Sequence, residues 1–494
     1  MIDRRTFLKI AGLSALMPLG CARLSVPSRG RILNDVHSGL NRVGVQEVIA
    51  VQSLQDIQRA VERAESTRTP ISVAGGRHAM GGQQFGSDTL HLDTRAFSRL
   101  LNFDSATGLI EVEAGMQWPK LIQTCLSVQE GAAQQWGIVQ KQTGADRLSI
   151  GGALSANIHG RGLTLKPFVG DVESFNLVMA GGRVVTCSRS RNADLFKLAV
   201  GGYGLFGVVS TVTLRLMPRR KLQRVVELVR IDDVMTRFEE RIRDGFLFGD
   251  CQFAIDPASE DFLQRGIFSC YRPVDPETPM PQGQREIAEE QWLRLLYLAH
   301  ADKNKAFDVY ANEYRATDGQ IYWSDTHQLS YYPDAYHQEI DRKVGASSPG
   351  SEMISELYVP RSELPAFFAD MREDFRRENV EVIYGTIRLI EQDDETFLAW
   401  AKQPWACTVL NLHVVHSPEG IERAAAAFRR LIDMARKRGG SYFLTYHKWA
   451  SREQVEACYP QLPRFLKLKR QYDEAEQFQS DWYRHYRTMF ADKL

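Results

Sequence analysis

The stretch that decides the fold is ISVAGGRHAMGGQQ, residues 71–84. Its first four residues are mostly apolar, which predicts a short strand at 71–74. The strand runs into Gly75 and Gly76, and a polar turn with Gly81 and Gly82 follows. Because glycine has no Cβ, the backbone N–H groups of such a loop can close on a phosphate. Glycine pairs also mark ordinary turns, so this loop predicts a phosphate site only in combination with others.

Three further glycine-rich segments follow in the first half of the chain. They are QTGADRLSIGGALSANIHGRG at 142–162, GDVESFNLVMAGGRVVTCS at 170–188 and AVGGYGLFGVVSTVTLRLMP at 199–218. Apolar residues at helical spacing predict a helix at 53–67 that begins at the capping residue Ser53. Further strands are predicted at 90–92, 109–113, 176–179, 184–187 and 208–216. No GxGxxG loop joins an early strand to a helix, which argues against the Rossmann mode of dinucleotide binding.

Taken in order, the four segments resemble the FAD-binding domain of the vanillyl-alcohol-oxidase family, also called the PCMH type. The resemblance implies an α+β fold with a two-subdomain PCMH-type FAD-binding domain at 42–218. It also implies an α+β cap domain, which binds substrate, at 219–440. After Pro218 the sequence becomes more charged and aromatic, and this change marks the boundary between the two domains. The aromatic C-terminal segment at 441–494 is expected to pack back near the flavin.

The resemblance assigns the cofactor-binding residues within three of these segments. They are Gly75, Gly76, Arg77, His78, Ala79 and Met80, then Gly144, Ser149, Gly151, Gly152, Ser155, Asn157 and His159, and finally Gly207 and Val208. In related cytokinin dehydrogenases and alditol oxidases, a His at the place of His78 is linked to the flavin 8α-methyl group. We therefore expect FAD covalently attached through His78. The alternative is that His78 only hydrogen-bonds the pyrophosphate. The second segment contains no Cys, so at most one link is expected.

The second half carries the catalytic candidates that the resemblance to aldonolactone and decaprenylphosphoryl-ribose oxidases implies. Arg388 matches the Arg of a Glu-x-Arg pair that faces substrate, although Thr386 stands where the Glu is expected. Glu356, in SELYVP at 355–360, is a further candidate. Near the C-terminus, FLTYHKWA at 443–450 offers three residues that could polarise the flavin or assist catalysis, namely Tyr446, His447 and Lys448. The alternative for Arg388 and Lys448 is a solvated surface position.

The predicted reaction is FAD-dependent oxidation of a CH–OH group of a polyol, sugar or aldonolactone-like substrate by hydride transfer to flavin N5. Oxygen or another acceptor would then take the electrons. Two alternatives remain open at this point. One is amine oxidation of the cytokinin-dehydrogenase kind, and the other is a non-catalytic exported module that binds flavin or sugar.

Composition narrows the partners to small molecules. The chain has 494 residues, with 61 Lys plus Arg and 61 Asp plus Glu, so no net field attracts nucleic acid. Six cysteines beyond Cys21 are widely spaced and form no CxxC pair, so no metal site is predicted. Buried free thiols are expected for them, with disulfides as the alternative.

The N-terminus predicts export. Arg4 and Arg5 precede a short apolar run, which resembles a twin-arginine signal at 1–30. A basic N-terminal helix is the alternative. Leu19, Gly20 and Cys21 resemble part of a lipoprotein cleavage box, so a lipid anchor at Cys21 is a further hypothesis. The expected location is the periplasm, or the outer side of the inner membrane if Cys21 is anchored.

Overall fold

The computed structural model describes residues 30–330, 332–333 and 335–494. The predicted signal at 1–30, apart from Gly30, and the anchor candidate Cys21 lie outside the described residues. Within the described part, no helix combines the length and the apolar character needed to cross a membrane. Helices and several sheets alternate along this part, which confirms the predicted α+β class.

A small parallel sheet carries residues 75–84, which we call the glycine loop. After a two-stranded pair, β1 (Arg31–Leu33) and β2 (Val43–Val45), its strands are β3 (Glu47–Ala50), β4 (Ile71–Ala74) and β5 (Leu90–Asp93), with β5 in the centre. Helix α1 (Leu54–Thr67) crosses from β3 to β4. It begins with a capping box, in which Ser53 Oγ accepts the Asp56 N–H and the Asp56 carboxylate accepts the Ser53 N–H. Because β4 ends at Ala74, the glycine loop begins at the carboxyl end of a parallel strand.

A five-stranded antiparallel sheet forms the other part of the first half. Its order is β10 (Val184–Ser188), β9 (Val172–Val178), β11 (Val208–Arg215), β7 (Leu109–Glu113) and β6 (Leu100–Asp104). A short pair, β8 (Trp136–Gly137) and β12 (Met217–Pro218), lies beside it. The accompanying helices are α2 (Trp118–Val128), α3 (Ile150–Ala156) and α4 (Ala193–Ala199). The second glycine-rich segment includes α3, so this sheet positions it.

The second half is built on one eight-stranded antiparallel sheet, which we call the cap sheet. Its order is β16 (Ile321–Trp323), β13 (Lys221–Arg230), β15 (Arg265–Pro273), β14 (Phe248–Phe253), β18 (Val382–Ile390), β19 (Trp405–Val415), β17 (Gly350–Pro360) and β20 (Ser441–Tyr442). Its helices are α5 (Val234–Arg243), α6 (Glu289–Ala301), α7 (Lys303–Arg315), α8 (Tyr336–Val344), α9 (Leu364–Glu378) and α10 (Pro418–Lys437). Helices α9 and α10 cover one face with apolar side chains such as Phe368 and Phe428.

The C-terminal segment joins the two halves. It begins in the cap sheet, because β20 pairs with β17, and continues through α11 (Arg452–Cys458), α12 (Leu462–Tyr472) and α13 (Asp481–Met489). The Ile71 N–H donates to the Gln477 carbonyl at 2.7 Å, and the Gln479 N–H donates to the Ile71 carbonyl at 2.8 Å. The segment therefore extends the edge of β4 beside the glycine loop.

The cysteines in the described part of the chain are buried free thiols, as expected from the sequence. They are Cys125, Cys187, Cys251, Cys270, Cys407 and Cys458. Burial raises the pKa of the Cys251, Cys270 and Cys407 thiols well above the usual range. These thiols are therefore protonated at neutral pH.

Candidate functional site

The glycine loop packs directly against the start of α3. A Cβ at Gly75 would overlap Ser149 Oγ, and a Cβ at Gly76 would overlap the Arg147 carbonyl oxygen. Gly82 has a φ of 76°, in the left-handed region that favours glycine. The loop needs glycine at 75 and 76 because atoms of Ser149 and Arg147 occupy the space that a Cβ would take, and at 82 because of the backbone conformation.

The other side of the loop is held by the C-terminal segment. Gln83 Nε2 donates to the Thr445 carbonyl at 2.7 Å, and Asn41 Nδ2 donates to the Met80 carbonyl at 2.6 Å. A Cβ on Gly82 would lie 3.1 Å from Lys448 Nζ. Burial lowers the pKa of Lys448, while the nearby Asp481 opposes that shift. Lys448 is thus a half-buried cation beside the loop rather than a solvated surface lysine.

His78 lies where the loop turns. The preceding residue, Arg77, has a φ of 60°, and its guanidinium pairs with Asp93 at 3.1 Å. The His78 ring is half-buried, and its centroid lies 6.4 Å from that of His37 and 5.9 Å from that of Tyr332. Ala79 and Met80 follow, with Met80 in the core. The imidazole therefore lies at the boundary between the first half and the cap.

A basic cleft of about 600 Å³ opens beside these segments. Arg95, Lys120 and Arg147 line it together with a single carboxylate, Asp93. The backbones of Gln117 and Ser149 pair in an isolated antiparallel β-bridge, which fixes the start of α2 to the start of α3 beside the cleft. Cationic side chains and a glycine loop fit the negative charge of a dinucleotide pyrophosphate. The residues present therefore suit FAD.

The second glycine-rich segment is held mainly by its backbone and caps. Ser149 caps α3 by accepting the Gly152 N–H at 3.2 Å, and the Gly151 N–H donates to the Ala114 carbonyl at 2.8 Å. Asn157 ends α3 with a φ of 48° and is fully buried, with its amide donating to Asp393 at 2.9 Å. The Asn157 side chain is therefore used inside the protein rather than presented to a ligand.

Four other predicted cofactor residues occupy different surroundings. The Ser155 carbonyl accepts the Tyr203 N–H at 2.9 Å, and the Gly144 N–H donates to Ser330 Oγ at 3.2 Å. Gly207 lies against the β9 backbone, where a Cβ would overlap the Val178 carbonyl oxygen. Val208 is buried in the apolar cluster that holds α1. Gly207 and Val208 thus lie within the core, apart from the glycine loop.

The face of the cap sheet opposite α9 and α10 carries buried polar side chains, and part of it lies against the second glycine-rich segment. Strand pairing places Asp250, Arg388 and Cys407 in one cross-strand row, next to Gln252 and Thr386. Three contacts cross from 142–162 to this polar face. Arg388 Nη2 donates to Thr143 Oγ1, His159 Nε2 lies 2.6 Å from Glu356 Oε1, and Arg161 Nη1 lies 3.7 Å from Asp250 Oδ1.

Glu356 is the centre of a buried hydrogen-bond network. Its carboxylate is met by His159, by the Tyr358 hydroxyl at 2.6 Å, by the Tyr446 hydroxyl at 3.2 Å and by Cys407 Sγ at 3.3 Å. Burial alone would raise the pKa of Glu356, but the charge and hydrogen bond of His159, the Tyr358 hydroxyl and Arg388 together lower it to about 2. Glu356 is therefore an ionised carboxylate at neutral pH.

Arg388 lies beside this network with part of its guanidinium unused. Among the described residues, its buried Nε has no hydrogen-bond partner. The side chain as a whole is 7% exposed, so the alternative of a solvated surface arginine is wrong. Thr386 Oγ1 lies 3.4 Å from Asp250 Oδ2. The Asp250 carboxylate of the neighbouring strand thus lies beside Thr386, the position at which the resemblance predicts a Glu.

The three consecutive C-terminal candidates face different surroundings. Tyr446 reaches Glu356, and Lys448 reaches the glycine loop. His447 packs among aromatic rings, with its centroid 4.5 Å from that of Phe428, and burial lowers its pKa to about 3. The structure brings Tyr446 together with Arg388 on the polar face but does not bring His447 there.

Sequence reasoning missed several charged residues here, notably Asp250 on the polar face and Lys141 and Arg161 of the first half beside it. Lys141 is fully buried and pairs with Asp146 at 2.8 Å. A charged residue inside an otherwise apolar strand pattern, such as Asp250 in β14, is the signal that could have marked them.

We expect Gly76→Ala to lower both thermal stability and FAD content. The new methyl group meets a backbone carbonyl oxygen, which cannot rotate away, so the loop must shift at a cost of about 1–3 kcal/mol. Thermal melting and the flavin-to-protein ratio measure both effects. Gly44→Ala is the matched control, because a Cβ there meets nothing within 4 Å. Equal stability and FAD content in the two variants would contradict the close packing.

Comparison with known proteins independently supports the resemblance to FAD-dependent oxidoreductases. A family profile described as an FAD binding domain matches residues 45–188. The chain is 24% identical to an L-gulono-1,4-lactone dehydrogenase of Mycobacterium tuberculosis, over 81% of this chain and 86% of that protein. It is 26% identical to cytokinin dehydrogenase 9 of Oryza sativa subsp. japonica, over 76% and 72%. It is also 31% identical to decaprenylphosphoryl-beta-D-ribose oxidase of Mycolicibacterium smegmatis, over 35% and 37%. These similarities confirm the resemblance predicted from the four segments.

Proposed function

We propose that this chain, an FAD-dependent oxidoreductase with a PCMH-type FAD-binding domain, oxidises a CH–OH group of a polyol, sugar or aldonolactone-like substrate. The observation that carries the proposal is the buried polar face of the cap sheet opposite 142–162. Arg388, Glu356 and Tyr446 meet there at a carboxylate network. Polar, hydrogen-bonding walls suit a hydroxyl-rich substrate better than an apolar one.

FAD, when bound, supplies a hydride acceptor at N5. The protein's residues would bind the substrate and accept the proton of its hydroxyl group. Arg388 offers the Nε–H that is left unused to a substrate oxygen, which fixes the carbinol carbon in place. Lys448, at the glycine loop, would supply a positive charge to the flavin, on which negative charge develops on reduction. We also propose that His78 carries the covalent link to FAD.

Oxidation of CH–OH to C=O removes a hydride and releases one proton from the hydroxyl group. Tyr446 donates its own hydroxyl proton to Glu356 Oε2, so its oxygen can accept the substrate proton as that transfer occurs. Glu356 thereby accepts the proton during the step, and because its pKa is about 2 it releases the proton again at neutral pH. His159, which is hydrogen-bonded to the Gly160 carbonyl and to Glu356, holds the carboxylate in position. In this scheme Tyr446 and Arg388 contact the substrate, and His159 is a positioning residue.

The test is anaerobic reduction of the bound flavin by a panel of candidate substrates. We expect aldonolactones, polyols or sugars to bleach the flavin absorbance and secondary amines to leave it unchanged. Amine oxidation is the alternative class of reaction. The likeness to a cytokinin dehydrogenase keeps that alternative in the panel. Bleaching by amines alone would overturn the proposal, and binding without bleaching by any compound would favour the non-catalytic module.

A further inference from the structure

A second buried carboxylate, Glu352, lies among side chains that the proposed reaction does not use. Strand pairing places it opposite His413, while α6 contributes His300 and α8 contributes His337. Glu352 Oε1 lies 3.1 Å from His300 Nε2 and 3.5 Å from His413 Nδ1. Glu352 Oε2 lies 2.7 Å from His337 Nδ1. We call these four residues the histidine cluster.

Hydrogen bonding alone accounts poorly for the ring nitrogens of the cluster. His337 Nε2 lies 3.2 Å from the His37 carbonyl oxygen, which can only accept, so Nε2 carries a proton. His337 Nδ1 faces a carboxylate and would need a second proton to donate to it, which would make the ring a half-buried cation. The His300 side chain is 7% exposed, and its Nε2 has no aligned hydrogen-bond partner among the residues that the structure describes. Three rings from separate elements each direct one nitrogen toward the same carboxylate, which is the arrangement of a set of metal ligands.

We propose that the histidine cluster binds one divalent first-row transition metal ion, with zinc as the first candidate. The ligand atoms of His300, Glu352 and His413 all lie within 4.8 Å of one another. Two donors about 2.0–2.2 Å from a tetrahedral zinc ion are about 3.3–3.5 Å apart, so small side-chain shifts close the site. Imidazole donors favour zinc, iron, nickel or copper over magnesium and calcium.

The contact between His337 Nε2 and the His37 carbonyl is the kind that orients a metal-bound histidine. Such outer contacts fix the tautomer, so that the opposite nitrogen presents its lone pair to the metal. In the histidine cluster this leaves His337 Nδ1 as the ligand atom. With a shift of its side chain toward the other three ligand atoms, His337 would complete a closed tetrahedral set, which is typical of structural zinc rather than of a catalytic centre.

The metal site would hold together the elements that lie beside the proposed active site. It ties α6 and α8 to β17 and β19, and through His337 it also holds His37. The His37 ring stacks on Tyr332, with 4.9 Å between centroids, and both rings lie beside His78. Glu352 and Glu356 share one face of β17 and lie about 13 Å apart along the strand. The ion would therefore order the cap next to the flavin without reaching the reacting atoms.

The test measures metal rather than activity, so it does not depend on the proposed reaction. Full-length protein purified without an affinity tag or chelator is analysed by elemental mass spectrometry, and chelator-treated protein is titrated with zinc sulfate in a calorimeter. We expect about one zinc ion per chain and a higher melting temperature with zinc than without it. A wild-type protein that neither retains nor takes up a divalent metal would overturn the proposal.

Ligand variants locate the ion. His413→Gln and His300→Gln should weaken zinc binding by more than the about 10–100-fold typical of losing an outer-shell partner. His416→Gln is the matched control, because His416 bonds to Ser351 Oγ at 2.8 Å rather than to Glu352. Variants that bind zinc like the wild type would place the ion elsewhere and overturn the assignment.

Cobalt substitution covers the case in which the ligand variants do not fold, as judged by melting and FAD content. Chelator-treated wild-type protein with one equivalent of cobalt chloride should give the intense visible bands of a tetrahedral ion. Zinc should abolish these bands by displacement. Only the weak spectrum of hydrated, octahedral cobalt would contradict a closed histidine and carboxylate site.

Discussion

Glu356→Gln slows flavin reduction by the substrate by about 10²–10⁴-fold, the range expected when a group that takes up the reacting proton is lost. The amide keeps the size of the side chain but cannot accept the proton that Tyr446 passes on. Anaerobic stopped-flow absorbance measures the rate constant of this single step. The effect should fall on the limiting rate, with a smaller change in substrate affinity, because Arg388 still binds the substrate oxygen.

Two controls separate chemistry from folding in this experiment. Glu391→Gln removes a half-buried carboxylate from beyond the end of β18, where its partner is Arg361 at 2.7 Å, and should reduce at the wild-type rate. FAD content and melting temperature show whether Glu356→Gln is folded, since the change leaves His159 buried beside a neutral group. A folded, FAD-loaded Glu356→Gln variant with the wild-type rate would rule out Glu356 as the proton acceptor.

His78→Ala is expected to abolish acid-stable flavin completely. In the wild type, the covalent link should keep the yellow colour in the acid-precipitated pellet, whereas the variant should release free FAD into the supernatant. His416→Ala is the control, because His416 bonds to Ser351 Oγ in the cap and belongs to none of the glycine-rich segments. Release of FAD from the wild type would remove the link and leave His78 as a pyrophosphate contact. Retention by the variant would place the link at another residue.

The local features of the first half could be predicted because each is encoded in a contiguous stretch. The Ser53 cap, the strand before Gly75 and the glycine loop depend on neighbours within a few residues. The overlap of a Gly76 Cβ with the Arg147 carbonyl could not be predicted, since it depends on how two distant segments pack. The family resemblance identified those segments without indicating which atoms meet.

The site in the cap could not be predicted from the sequence, because the register of the paired strands decides which side chains lie side by side. Arg388 faces Cys407, and Glu352 faces His413, only once β17, β18 and β19 have paired. Cysteine spacing therefore predicted no metal site, whereas the histidine cluster draws its ligands from four separate elements. The sequence of Tyr446, His447 and Lys448 also gave no indication of the direction in which each side chain points. Their segment is not a regular strand or helix, so adjacent residues reach different surroundings.

The most direct test of the central claim is the rate of anaerobic flavin reduction by a substrate that carries deuterium on the carbinol carbon. If a hydride leaves that carbon for the flavin, the deuterated compound should reduce the flavin several-fold more slowly than its protiated counterpart in the same single turnover. Equal rates for the two compounds, or no reduction by any CH–OH substrate, would contradict the account.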